Sequence, residues 1–287
     1  MKLEKLYKKA VDIGIANDPR GKTEIKKILN EEKEKFDTLK KDELDFYDKD
    51  RLFNPFADSR ILNGDLDINI KTVVVGIDMQ VGEILLTYLL NKDFNKKIDL
   101  IISHHPEGYA LAQLHEVMKL QADLMAAYGV NISVAEQLME KRISEVQRRL
   151  LPINHTRAVD AACALGIPMM CIHTPADNCV TTYLKKTFDR NKPAKLKDLM
   201  DILKKIPEYK KSAALQVPPK IVNGSENNKC GKIYIEMTGG TEGAKEIMEK
   251  YATSDVLGLN LLFDEIEKEE KLRFVGISGF QRIRRKN

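Results

Sequence analysis

Two kinds of hydrophobic spacing divide the chain. Over the first fifty residues, apolar positions recur at helical intervals. Leu3, Leu6, Tyr7, Ala10, Val11 and Ile13 predict an amphipathic helix, and the turn Asn17-Asp18-Pro19-Arg20-Gly21 ends it. Ile25, Ile28, Leu29, Phe36 and Leu39 thread a second helix among charged residues. Beyond the loop around Asn54-Pro55-Phe56 the pattern changes. Short unbroken apolar runs at 73–77, 100–102, 130–134, 169–172, 233–235 and 274–277 predict strands. Helical spacing lies between them, over 83–90, 111–128, 135–150 and again after Asn154. The apolar runs are continuous rather than alternating, as strands covered on both faces require. The expectation is an α/β fold with mixed sheets flanked by helices. Residues 1–50 form a charged helical extension, a hairpin laid on the main domain or on a neighbouring subunit, and 51–287 form the α/β domain.

Composition narrows the class. The chain has 287 residues, 43% hydrophobic and 31% charged, enough for a substantial core. Its net charge of +4 is spread, apart from a basic end at Arg282, Arg284, Arg285 and Lys286 that reads as a solvated tail. That balance argues against a nucleic-acid partner. Cys163, Cys171, Cys179 and Cys230 form no Cys-x-x-Cys pair and read as reduced thiols, some of them buried. The N-terminus has no apolar signal core, and no apolar run is long enough to span a membrane, so the expected setting is cytoplasmic.

The chain has only five histidines, and two of them, His104 and His105, are adjacent at the end of the 100–102 run. Asp78 ends the 73–77 run, and 169–172 leads into His173 and, four residues on, Asp177. Ligand sites of open α/β sheets lie outside the carboxyl ends of the strands, so these residues point to one crevice. Neutral imidazole together with carboxylate suits Zn, Mn, Fe or Co. Neighbouring histidines at a strand end, where Pro106 helps to turn the backbone, can each face one ion of a pair about 3.5–4 Å apart that activates a water. The plainer alternative is two loop histidines and a capping Asp. Other candidates are weaker. Gly239-Gly240-Thr241-Glu242-Gly243 resembles a phosphate-cradling turn but lacks the Lys-Ser/Thr of a P-loop, and a plain strand–helix connection explains it better. Cys171 reads as a core residue, although it and Cys179 flank His173. His115 sits in a helical context, and His155 either lines the crevice or caps a helix.

Several segments resemble a known family. VVGIDMQVGEIL, LIISHHPEG, the run from LHEVMKLQADLMAAYGV through AEQLMEKRISEVQRRLLPINH, GIPMMCIHTPADN, and the ending SDVLGLNLLFDEIE with GISGFQRI are similar to the Ngg-interacting-factor-three-like proteins. These are also called dinuclear metal centre hexameric proteins, and some carry the name GTP cyclohydrolase homologue. The similarity is to a long prokaryotic branch with an extra N-terminal helical segment, and it runs from about Leu52 onward. It implies an α/β fold, a toroidal homo-hexamer and a two-metal site in each subunit. His104 and His105 would each ligate a metal, and Asp177 would bridge or ligate, with His173 beside it. A C-terminal Gly-His-x-x-x-acid motif would complete the pair. Here Asp255 holds the acid position, but Tyr251 stands where the histidine is expected, and the chain is shortened between about 244 and 253. Asp78, His173 and Tyr251 would be the supporting residues around those ligands.

The resulting expectation is a divalent-metal-binding protein of hydrolase type. Two ions held by His104, His105, Asp177 and Asp255 would activate water against a small phosphorylated or nucleotide-like substrate. The alternative is a non-enzymatic metal-binding or regulatory scaffold with an incomplete site. A third reading is an interaction module that uses the charged N-terminal hairpin.

Overall fold

Among the described residues, five short strands form one sheet with helices on both faces. The computed structural model describes residues 1–239 and 252–285. The chain begins with α1 (Leu3–Ala16), α2 (Lys22–Asp37), α3 (Lys41–Leu44) and a single 3-10 turn at Lys49–Leu52. Then come β1 (Arg60–Asn63), β2 (Thr72–Gly76), α4 (Val81–Lys92) and β3 (Leu100–Ser103). Five helices follow: α5 (Gly108–Ala112), α6 (Leu114–Val117), α7 (Lys119–Ala127), α8 (Ile132–Leu150) and α9 (Arg157–Ala164). β4 (Met169–Cys171), α10 (Thr174–Asn191), α11 (Leu196–Leu203), α12 (Pro207–Ala214), α13 (Ala252–Ile266) and β5 (Arg273–Gly276) complete the order. Among the described residues, no helix is long and apolar enough to cross a membrane.

The strand order is β1-β4-β3-β2-β5. β2, β3, β4 and β5 run parallel, and β1 pairs antiparallel with β4 at one edge. Side chains alternate between the faces, as the pleat requires. Val73, Val75, Leu100, Ile102 and Met170 pack toward α1, α10 and α13, while Val74, Ile101 and Met169 pack toward α4 and α9. The register matters for the site. Gly76 lies opposite Ser103, and Ser103 lies opposite Cys171. The three central strands therefore end level with one another, and the residues that follow them emerge at one edge.

The N-terminal helices differ from each other. α1 buries Leu3, Leu6, Tyr7, Ala10, Val11 and Ile13 in the principal core, whereas α2 buries Ile25 alone. The apolar spacing of α1 meets the sheet, and the charges of α2 stay in solvent.

Four expectations are corrected by the tertiary structure. The 130–134 run is not a strand. The Asn131 side chain accepts from Ser133 N and starts α8, whose helical spacing buries Ala135, Met139 and Val146. The stretch 111–128 is not one helix but is interrupted at Gln113 and Met118. The 233–235 run joins no sheet among the described residues. Ile235 and Met237 instead pack with Val180, Leu184 and Phe188 of α10. As far as Arg285 the basic end is not a solvated tail either, and Lys286 lies outside the described residues. Arg282 pairs with Asp264 and Glu267, Arg284 with Glu267, and Arg285 with Glu208 and Asp264. The edge strand β1 has no signature in the apolar pattern, because its pairing carries an irregularity between Ile61 and Asn63 and its first residue is Arg60.

Candidate metal centre

The site is assembled from the ends of β3 and β4 and the first turns of α10 and α13. Just past β3 the backbone keeps bonding to the chain that follows β2. His104 N donates to Gly76 O (2.9 Å) and His105 N to Ile77 O (2.9 Å). Ser103 Oγ donates to His105 O (2.6 Å), which turns the chain. The two rings thus avoid the opposed directions of strand neighbours and lie 5.4 Å apart between centroids. His173, just past β4, brings its ring to 4.9 Å from His104 and 5.7 Å from His105. His104 is fully buried and His105 half-exposed.

Two carboxylates come from helices. Asp177 lies in the first turn of α10 and Asp255 in the first turn of α13, where the helix macrodipole favours negative charge. The two helices bring these turns together by close approach. A Cβ on Gly258 of α13 would stand 2.7 Å from Ala176 O, and one on Gly14 of α1 would stand 2.7 Å from Pro175 Cβ. The start of α10 is therefore held between two glycine contacts, and Asn178 Nδ2 donates to Gly14 O (3.1 Å) beside them.

His104 Nε2 lies 3.5 Å from Asp177 Oδ1 and 3.5 Å from Asp255 Oδ1. His105 Nε2 lies 3.5 Å from Asp255 Oδ2, and His173 Nε2 lies 3.8 Å from Asp177 Oδ2. Among the described residues, His104, His105 and His173 form one group whose ligand atoms lie within 4.8 Å of one another, and His104, Asp177 and Asp255 form another. His104 Nε2 is buried and makes no hydrogen bond. Its spacing fits an ion better than a proton, since donors about 2.1 Å from a tetrahedral ion stand about 3.4 Å apart. Imidazole nitrogen with carboxylate oxygen is also the donor chemistry such an ion takes.

The other nitrogen of each ring is bound to an oxygen that can only accept. His104 Nδ1 donates to Ile172 O (3.1 Å), His105 Nδ1 to Asp78 Oδ1 (2.7 Å) and His173 Nδ1 to Asp58 Oδ2 (2.9 Å). Asp58, fully buried just before β1, also accepts from Thr174 Oγ1 (2.6 Å) and Ser59 Oγ (3.2 Å). Ser59 Oγ accepts in turn from His173 N (2.9 Å). Buried Arg60 anchors this loop, donating to Phe56 O, Ser59 O and Asp48.

Charges follow the geometry. Burial works to raise the Asp58 carboxyl, but the His173, Thr174 and Ser59 contacts outweigh it and hold it below the usual range. Burial likewise opposes ionisation of Asp255, yet His104 and His105 hold it well below the usual carboxylate range. Burial works to lower His105, but Asp255 and Asp78 push it up to about 9. At the rim Glu107 is raised to about 7 by burial and by Asp78. Gln80 Nε2 donates to Glu107, and Arg157 Nη2 donates to Gln80 Oε1 (3.0 Å).

The structure thus brings together His104, His105, His173, Asp177 and Asp255, with Asp78 behind His105. Tyr251, the segment from about 244 to 251 and most of the Gly239–Gly243 turn lie outside the described residues. The remaining candidates lie elsewhere. His115 faces Gln147 of α8, and His155 Nδ1 turns back to Ile153 O. Cys171 is a core thiol pushed up to about 12 by burial. Sequence reasoning passed over Asp58, Gln80 and Glu107. For Asp58 the available signal was a polar Asp-Ser-Arg triplet entering a short apolar stretch.

No family model matches the chain, and no curated protein matches it. Among solved structures, it is similar to a crystal structure of a NIF3 superfamily protein from Sphaerobacter thermophilus. The two share 22% identity with a TM-score of 0.65, over 78% of this chain and 92% of that one. At that identity the likeness shows only that the two chains share an α/β fold.

Proposed function

We propose that, on this NIF3-type fold, the protein is a divalent-metal-dependent hydrolase. In this reading His104, His105, Asp177 and Asp255 hold two ions at the carboxyl ends of the central strands, and the substrate is small and phosphorylated or nucleotide-like. The observation that carries it is the buried His104 Nε2, with no hydrogen bond, 3.5 Å from carboxylates of two different helices. Bound divalent ions of this kind supply Lewis acidity and a water acidic enough to act near neutral pH. The chain's residues have separate tasks. Asp78 orients His105, the half-exposed edge of the site, toward Asp255. The buried walls at His104 and Asp177 exclude water from one side, so substrate would arrive over His105 and the Glu107–Gln80–Arg157 rim. A homo-oligomer, a hexamer by the family resemblance, and a cytoplasmic setting complete the proposal.

The test is metal content per subunit in protein purified without chelator, followed by phosphoester and nucleotide turnover with Zn, Mn, Co or Fe added. The expected result is two ions, lost in His104→Ala and Asp177→Ala, and turnover lost with them. Variants that retain the parent's metal would refute the ligand assignment. Metal binding without any turnover would leave a metal-holding scaffold in place of a hydrolase.

A further inference from the structure

We infer that His173 is itself a metal ligand and that Asp58 is the positioning residue that makes it one. The inference rests on the metal reading above and adds to it a third imidazole and the buried carboxylate behind it.

Three observations carry this. First, the three rings are treated alike. Each spends Nδ1 on an oxygen acceptor, namely Ile172 O, Asp78 or Asp58, and each presents Nε2 to the carboxylates of Asp177 or Asp255. Metal-binding histidines characteristically donate their second ring nitrogen in this way, which sets the tautomer and the ring plane. Second, His173 is 5% exposed, yet its Nε2 stands 3.8 Å from Asp177 Oδ2, too far for a hydrogen bond. It faces a carboxylate at nearly the spacing that His104 shows. Third, Asp58 is built in from every side. Thr174, Ser59 and His173 donate to it, and it lies beside the N-terminus of the eighteen-residue helix α10. Nothing in the packing of an apolar core calls for a fully buried carboxylate. A ring that must be held rigid, and made a better electron donor, does.

The donors then follow one another in space as His173, Asp177, His104, Asp255 and His105, each within 3.8 Å of the next. Three imidazoles and two carboxylates come from described residues alone.

The experiment uses the full chain, stripped with chelator and titrated with Co(II), followed by the visible absorption of the bound ion and by affinity. Asp58→Asn keeps the size and one acceptor oxygen but removes the charge. His173→Gln removes the imidazole and tests the ligand directly should Asp58→Asn fail to fold. The expected result is a weakening of Co(II) binding of roughly 10–100-fold in Asp58→Asn, with a larger loss in His173→Gln, on the scale known for orienting partners and ligands. The Co(II) spectrum should change in both, and a structural role alone would not change it. If both variants bind Co(II) with the parent's affinity and spectrum while His104→Ala does not, the inference is overturned and the metal reading stands. If the parent itself binds no Co(II), the metal reading and the inference fall together.

Discussion

Gly258 offers a direct test of how the two acidic helices are brought together. It lies one turn after Asp255 on α13, against the carbonyl of Ala176, the residue before Asp177. A methyl group at Gly258 would sit 2.7 Å from Ala176 O, 2.9 Å from Ala176 C and 3.0 Å from Val180 Cγ2, where ordinary contact begins at 3.4 Å. Two of those atoms are backbone, so no side-chain rotation relieves the clash, and the helices must part by about 0.7 Å. Such overpacking costs roughly 1–3 kcal/mol, against a gain of about 1 kcal/mol from replacing a helical glycine by alanine. The net effect of Gly258→Ala on stability is therefore small, about 0–2 kcal/mol of destabilisation. The effect on the site is larger, because metal–donor distances hold to within about 0.2 Å. A displaced Asp255 should lower metal affinity by about tenfold or more. The assay is competition for Zn(II) with a chromophoric chelator, beside urea unfolding of the metal-free protein. Gly82→Ala on α4, where a Cβ meets nothing within 4 Å, is the control and should be neutral or slightly stabilising. Unchanged Zn(II) affinity in Gly258→Ala would refute the argument that this contact sets the Asp177–Asp255 spacing.

Two further predictions concern stability. Phe263→Ala removes a fully buried ring packed against Phe274 and Phe280, at 4.8 Å and 6.0 Å, and should lower unfolding free energy by about 3–5 kcal/mol in denaturant titration; a loss below about 1 kcal/mol would mean the core collapses to fill the space. Burial works to raise the Glu267 carboxyl, but hydrogen bonds from Arg284 and Arg282 hold it below its ordinary 4.5. Its contribution is therefore complete above pH 4.5 and is lost as pH falls through the lowered folded value. Thermal melts should show a loss between pH 4.5 and lower pH that Glu267→Gln reduces, and an equally steep loss in the variant would assign it to other acids.

Much of the site could be read from the strand ends. Asp78, the His104-His105 pair, His173 and Asp177 all follow apolar runs that the structure makes β2, β3 and β4, and parallel pairing in register brings those ends level. Asp255 was reached only through the family resemblance, since its place in the first turn of a helix far along the chain carries no local signal. Asp58 was not reached at all. Its role depends on a loop folded against β4, more than a hundred residues away, and a lone Asp in a polar triplet resembles any turn residue. The arginines near the end were misread for a related reason. A run of like charge looks solvated until the partners, Glu208, Asp264 and Glu267, are in place.

The sequence by itself determined what is local and periodic. It set the helical and strand spacing, the buried character of the central strands, and the chemistry waiting at their ends. Its errors at 130–134 and 233–235 mark the limit of that information. A short apolar run is compatible with a strand or a helix, and the Asn131 cap and the α10 surface decided those two cases. Only the tertiary structure decided which nitrogen each histidine presents, that Asp177 and Asp255 share one imidazole, and that Asp58 stands behind His173. The physical reason is that donor spacing of a few ångströms is set by helix-to-helix contact and strand register, and these belong to the packed chain rather than to any segment of it.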